Sequence, residues 1–288
     1  MTATLLHGDC LELMKTLPDK SVDCFICDLP YGQLSGANVN KTLVRMEGGK
    51  ISGPKALTEG GSLSGCPWDV KLNLTEFWTQ VKRLCKNDHT PVLMFCNTQF
   101  GFELYNSNPS WFRYDLVWDK GHGVSFLLAN KMPMKSHEMI YVFSKKGCFY
   151  RRIDDEVSGA KPYTIDRKKE KATKSRQFSV IKSPSKLAGG HPTEKPLELY
   201  KWLLERYCPE GGTVLDPTAG SFNSILAARE LKRNGIGIEK EDKFYEEGCK
   251  KFKASAATPA PTELRNEVVL TPVAHCGNGE KGSGRPVG

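Results

Sequence analysis

Two short stretches of the chain carry side chains able to do chemistry. In the first, the apolar run Val22 to Cys27 is ended by Asp28, Leu29, Pro30, Tyr31 and Gly32. Proline cannot continue a central ladder, so the run reads as a buried strand that stops sharply, with a carboxylate and a phenol in the kind of loop that often carries function. Taken alone, it reads first as an ordinary strand-ending turn. In the second, Thr213 to Leu215 leads into Asp216, Pro217, Thr218, Ala219, Gly220, Ser221, Phe222 and Asn223, and Glu239 follows Gly220 by 19 residues. A tight turn lets backbone approach a ligand, and an acid about 20 residues further on can take a ribose hydroxyl pair; this is the pattern of a nucleoside-binding βαβ unit. The turn lacks the three glycines of a dinucleotide site. Cys24 and Cys27 form a CxxC, but no second CxxC or His pair follows at zinc spacing, and His137 and His191 have no third partner. No metal site is expected.

The elements that must position these stretches alternate. Strands are predicted at Val22 to Cys27, Pro91 to Cys96, Tyr114 to Trp118, Met139 to Phe143, Thr213 to Leu215 and Asn234 to Ile238. Helical spacing covers Leu72 to Cys85, and helices are predicted over Pro196 to Tyr207, Asn223 to Arg233 and Glu241 to Phe252. Strands interleaved with helices predict a wound α/β sheet. Gly32 to Gly65 has no periodicity and reads as a long loop beside Asp28, either a lid or plain disorder. Residues after Lys253 are rich in Ala, Pro, Thr and Gly and are expected to be a disordered tail.

The 288 residues, 39% hydrophobic and 26% charged, suit a folded globular protein with one large core. The longest apolar runs are strand-sized, far below the roughly 18 to 20 residues of a bilayer span. No basic start and apolar core precede a cleavage site in Met1 to Gly8, so secretion is not expected and a cytoplasmic, reducing setting fits cysteines embedded in apolar runs. Lys145 to Lys195 holds fourteen basic and six acidic residues, an excess equal to the whole net charge of +8. With Tyr150, Tyr163 and Phe178 interleaved, it is either a solvated flexible loop or a polyanion-binding insertion.

Three motifs taken in order are more specific than any one. Asp28 to Gly32 resembles the Asp-Pro-Pro-Tyr motif of amino-group DNA methyltransferases, Leu215 to Asn223 resembles their S-adenosylmethionine loop, and His191 to Pro196 (HPTEKP) resembles the segment that precedes that loop. The catalytic motif comes first and the basic insertion lies between, which is the permuted β-class arrangement. The similarity spans roughly Thr4 to Phe252, with Gly8 and Asp9 at the adenine-side strand end and Trp118 to Lys120, His137 and Glu138 around a late hairpin. It implies a Rossmann-like class I methyltransferase sheet, circularly permuted, divided into 1–144 (catalytic part), 145–190 (target-recognition insertion), 191–253 (cofactor-binding part of the same domain) and 254–288 (tail).

What the resemblance implies for function is a DNA adenine-N6 methyltransferase acting on a base flipped out of double-stranded DNA. The Asp28 carboxylate and the Leu29 carbonyl would accept the amino protons and turn the lone pair outward, Pro30 would stiffen the turn, and Tyr31 would offer a stacking face. Glu239 would take the ribose hydroxyls and Asp9 the adenine edge. Gly220 and Ser221 would allow backbone approach, Asn223 belongs to the same loop, and Asp216, Thr218 and Lys195 would surround the methionine end. Lys161, Arg167, Lys168, Lys169, Lys171, Lys174 and Arg176 would contact DNA. A homodimer stays open, a restriction partner is not indicated either way, and no membrane role is expected. An acid in the first motif position favours adenine, whereas serine there is commoner in cytosine-N4 enzymes. Cytosine-N4 methylation and an inactive DNA-binding subunit are the alternatives, while protein-glutamine enzymes carry their cofactor loop first. Thr218 stands where the family usually has Phe, and Phe222 where it has a second Gly. Because Phe visits positive φ only at a cost, an altered loop or weaker cofactor binding is expected.

Overall fold

The computed structural model describes residues 1–32, 69–124, 129–153, 177–183, 194–257 and 267–270. The elements are β1 (Thr2–His7), α1 (Cys10–Thr16), β2 (Cys24–Cys27), α2 (Leu74–Leu84), β3 (Val92–Cys96), α3 (Thr98–Ser107), β4 (Phe112–Val124), β5 (Lys135–Phe143), β6 (Val180–Lys182), α4 (Leu197–Tyr207), β7 (Thr213–Asp216), α5 (Asn223–Glu230), β8 (Asn234–Glu239), α6 (Asp242–Ala257) and β9 (Glu267–Leu270).

The strands form one sheet in the order β6-β4-β5-β3-β2-β7-β8-β1-β9. Neighbours are parallel except β5, which runs antiparallel to β3 and β4. Central strands are buried on both faces: every residue of β2 and β3 is buried, as the unbroken runs CFIC and VLMFC require. Helix α2 shows how the covering layer forms. Asn73 caps it by accepting from the amides of Thr75 and Glu76, and the stripe Phe77, Trp78, Val81 and Leu84 is buried against the sheet. Each such side chain contributes about 1.5–3 kcal/mol. Residues from both ends of the chain interleave, β2 beside β7 and β1 beside β8, so the early and late segments share one core.

Connections leave β2 toward β3 and β7 toward β8, in opposite directions. The crevice beyond the carboxyl ends of β2 and β7 is therefore the switch point where an open α/β sheet binds ligands.

Several expectations are corrected at element ends. The strand expected at Tyr114 to Trp118 extends through Phe112–Val124, and the helix after Phe222 stops at Glu230 rather than Arg233. The disordered tail does not hold for all of its residues: α6 continues to Ala257, and Glu267–Leu270 pairs parallel with β1. The segment Glu-Val-Val-Leu has the β-branched apolar character that extends an open sheet edge. The eight cysteines at described positions are free thiols. Among the described residues, no helix is long and apolar enough to cross a membrane and no group of side chains could hold a metal ion. The loop expected beside Asp28, the seven DNA-contact candidates from Lys161 to Arg176, and His191 lie outside the described residues.

Candidate active site

Asp28 follows β2 directly, and both carboxylate oxygens are held. Tyr31 donates its hydroxyl to Oδ1 at 3.0 Å, and the Lys195 ammonium pairs with Oδ2. One face of Tyr31 rests on Phe100 of α3, with ring centres 5.0 Å apart. Burial, reinforced by the charges of Asp28 and Glu138, keeps this phenol well above its ordinary pKa and hence a donor. Leu29 is buried in the core beneath the turn. The amide of Gly32, at φ +68°, donates to the buried carboxylate of Asp69 at 2.8 Å.

The loop after β7 docks onto the same turn. Thr218 Oγ1 donates to the backbone carbonyl of Asp28 at 3.1 Å, so the residue that departs from the family pattern ties the two motifs together. Asp216 points inward and is 1% exposed, accepting from Ser224 Oγ at 2.5 Å and from the Thr218 amide at 3.1 Å. Burial pushes its carboxyl up to about 7 against those two bonds. It braces the loop from within. Asn223 does the same on the other side, donating to Glu194 at 2.7 Å and to the Lys195 carbonyl at 2.9 Å while accepting from Lys251 at 2.6 Å. Ser221 also bonds Glu194, whose carboxyl is held down by Lys251 and these donors despite partial burial.

Phe222 does adopt the positive φ that is costly for its residue type. It adopts φ 57°, ψ 23°, the left-handed region, at a cost of about 1–2 kcal/mol, yet its ring is fully buried among Leu5, Ile225, Tyr245 and Phe252. Two glycines make the room: a Cβ at Gly237 would lie 2.6 Å from ring Cδ1, and one at Gly248 would collide with Cδ2. Burial of the ring offsets the backbone cost, so the loop keeps its left-handed turn.

At the cofactor side, Glu239 ends β8 with Oε2 accepting from the Gly220 amide and Oε1 from the Glu241 amide, both at 2.8 Å. Burial raises its pKa while the backbone donors pull it down. Gly220 lies at φ +52° with open space where a Cβ would stand. Asp9 caps α1 beside this strand end and pairs with Lys240 at 3.2 Å. An aligned acid, open backbone and a second acid at three adjacent strand ends fit a nucleoside ligand. Lys195 lies against Asp28 and 3.6 Å from Glu138. In the sequence Glu138 stands near the late hairpin with no role attached, and no motif singles out Lys251, Gly237 or Gly248; only Glu194, inside HPTEKP, carries a signal.

A family model described as DNA methylase matches residues 22–250. The chain is 35% identical over 268 residues to the type II methyltransferase M2.DpnII of Streptococcus pneumoniae, covering 88% of this chain and 91% of that protein. In solved structures, it resembles an M1.HpyAVI–SAM complex at a TM-score of 0.53 and 21% identity, covering 87% of this chain and 98% of that one. It also resembles the cytosine-N4-specific PvuII DNA methyltransferase at a TM-score of 0.59 and 15% identity, covering 88% of this chain and 86% of that one.

Proposed function

The chain belongs to the N6/N4 DNA methylase family, and from that premise we propose that it methylates the N6 amino group of adenine in duplex DNA using S-adenosylmethionine. The observation that supports this reading is the hydrogen bond from Thr218 to the Asp28 carbonyl, which joins the Asp28 turn to the loop whose Gly220 amide is bonded to Glu239.

The adenine amino lone pair is delocalised into the ring and is a poor nucleophile. Asp28 and the Leu29 carbonyl accept hydrogen bonds from its two N–H groups, and the nitrogen becomes pyramidal with its lone pair turned toward the cofactor side. Glu239 and Asp9 hold the nucleoside half of S-adenosylmethionine, which supplies an electrophilic methyl group. Tyr31, backed by Phe100, stacks the flipped base on its other face; extrusion from the duplex costs a few kcal/mol and is offset in this way. The basic residues from Lys161 to Arg176 hold the phosphate backbone. The left-handed turn at Phe222 supports an active loop over an inactive subunit.

Cytosine-N4 methylation is the second reading, favoured by the likeness to the PvuII enzyme. Incubating the protein with unmethylated DNA and S-adenosylmethionine, then digesting to nucleosides for mass spectrometry, decides between them. N6-methyladenine is expected and N4-methylcytosine supports the second reading. 5-Methylcytosine overturns the mechanism, since carbon methylation needs a covalent nucleophile that this turn lacks.

A further inference from the structure

Four charges of alternating sign run across the top of the sheet from four separate elements. Lys120 on β4 pairs with Glu138 Oε1 on β5 at 2.7 Å, Glu138 Oε2 lies 3.6 Å from Lys195 Nζ, and Lys195, just before α4, pairs with Asp28 after β2. The Lys195 side chain is 6% exposed, and its ammonium sits 4.9 Å from the centre of the Phe95 ring. An ammonium so enclosed cannot be left without an anion, because an unpaired buried charge costs several kcal/mol.

This pairing poses a problem for the chemistry. Asp28 must offer an oxygen to an incoming amino group, but Oδ1 already receives the Tyr31 hydroxyl and Oδ2 the Lys195 ammonium. A strong donor fixed on Oδ2 competes for its lone pairs and weakens what is left for the base. The array contains an outlet. Glu138 Oε2 is buried and makes no hydrogen bond among the described residues, whereas Oε1 is anchored by Lys120. The carboxylate is thus pinned at Oε1 by a hydrogen bond, while Oε2 faces Lys195 in a looser contact of 3.6 Å.

We propose that Glu138 is a positioning residue for the methyl-accepting base: its Oε2 is the second seat to which Lys195 shifts when an amino group takes the Asp28 carboxylate. The ammonium moves by rotation of its own flexible stem and stays ion-paired throughout. Lys120 keeps Glu138 from following, and Phe95 bounds the path from one side. The exchange involves no proton transfer and is the same for an adenine or a cytosine amino group.

The inference rests on amino-group methyl transfer, and the test separates the two. Wild type, Glu138→Gln and Glu138→Asp are compared on duplex DNA for kcat, KM for DNA and calorimetric affinity for S-adenosylmethionine, with thermal midpoints as the check on folding. Glu138→Gln is expected to lower kcat by about ten- to a hundredfold, the scale of a misplaced reacting group. KM and cofactor affinity are expected to stay within about twofold, because neither binding surface is touched. Glu138→Asp, which keeps the charge, is expected to recover a substantial part of kcat, and it carries the comparison if Glu138→Gln does not fold. Unchanged kcat in Glu138→Gln, equal losses in the two variants, or kcat and cofactor affinity falling together with the thermal midpoint would each overturn the proposal. A wild type that yields no methylated nucleoside overturns the functional reading instead.

Discussion

Asp28 and Asp216 stand at the ends of neighbouring parallel strands, and their surroundings give them opposite tasks. Asp28 is partly exposed with donors on both oxygens, whereas Asp216 is enclosed by its own loop. Asp28→Ala is expected to lower methyl transfer by at least about a hundredfold, the scale for losing one aligned polar group at the reacting centre. Cofactor affinity measured by calorimetry should move far less, since the carboxylate acts on the base. Asp28→Asn should also be badly impaired, because its amide presents a donor where an acceptor is needed. Asp216 gives a pH signature. Its folded-state carboxyl titrates at about 7 against 3.8 for the free group, so the folded protein holds the proton more tightly. The resulting stability is complete below the lower value and is lost as pH rises through the upper one. Asp216→Asn keeps an acceptor for the Thr218 amide and cannot ionise. The thermal midpoint of wild type is therefore expected to fall relative to that variant between pH 4 and pH 7; parallel curves would show that Asp216 ionises freely in place.

At the scale of the element, the turn from β7 into α5 shows where sequence reading ends. The motif around Gly220 and the acid at Glu239 are legible because strand, turn and helix are local and their spacing is fixed. The outcome at Phe222 is not local: the ring is accommodated by Gly237 on β8 and Gly248 on α6, which no spacing rule links to it. Helices α1 and α3 and strand β6 are not legible because they are short and their apolar periodicity is weak. The packing at Phe222 is testable as a cycle. Phe222→Gly removes a buried ring worth about 3–5 kcal/mol and relieves about 1–2 kcal/mol of backbone cost, so a net loss of about 1–4 kcal/mol is expected by chemical denaturation. Cofactor affinity should stay close to wild type, since Gly holds the same turn. Gly248→Ala should be destabilising in wild type and much milder on the Phe222→Gly background, because the atom its Cβ meets is then gone. Additive effects would mean that the two positions do not share space.

Over the whole molecule, chain order and sheet order are decoupled, and the consequence is where the charge goes. The catalytic turn at Asp28 and the loop at Asp216 come from opposite ends of the sequence but from adjacent strands, β2 and β7. The chain between them adds β3 to β6 to one side of the sheet, and its stretch from Lys145 to Lys195 carries a basic excess equal to the net charge of the molecule. Of this segment, Val180–Lys182 joins the sheet edge beside β4, whose partner β5 carries Glu138. Order and charge are legible in the sequence; the edge strand is not, because three residues give no period. If the segment holds DNA by its phosphates, affinity must fall with salt as counterions are released, with a slope of about −0.9 per neutralised phosphate on a log-log plot. Replacing Lys168, Lys169 and Lys171 together with Gln is then expected to flatten the slope by about one unit for each phosphate no longer neutralised, up to about three, in fluorescence anisotropy titrations on duplex DNA. Cofactor affinity should not change, because the Glu239 cradle is built from other strands. A slope equal to wild type would assign DNA binding to some other face and leave the excess charge as a solvated loop.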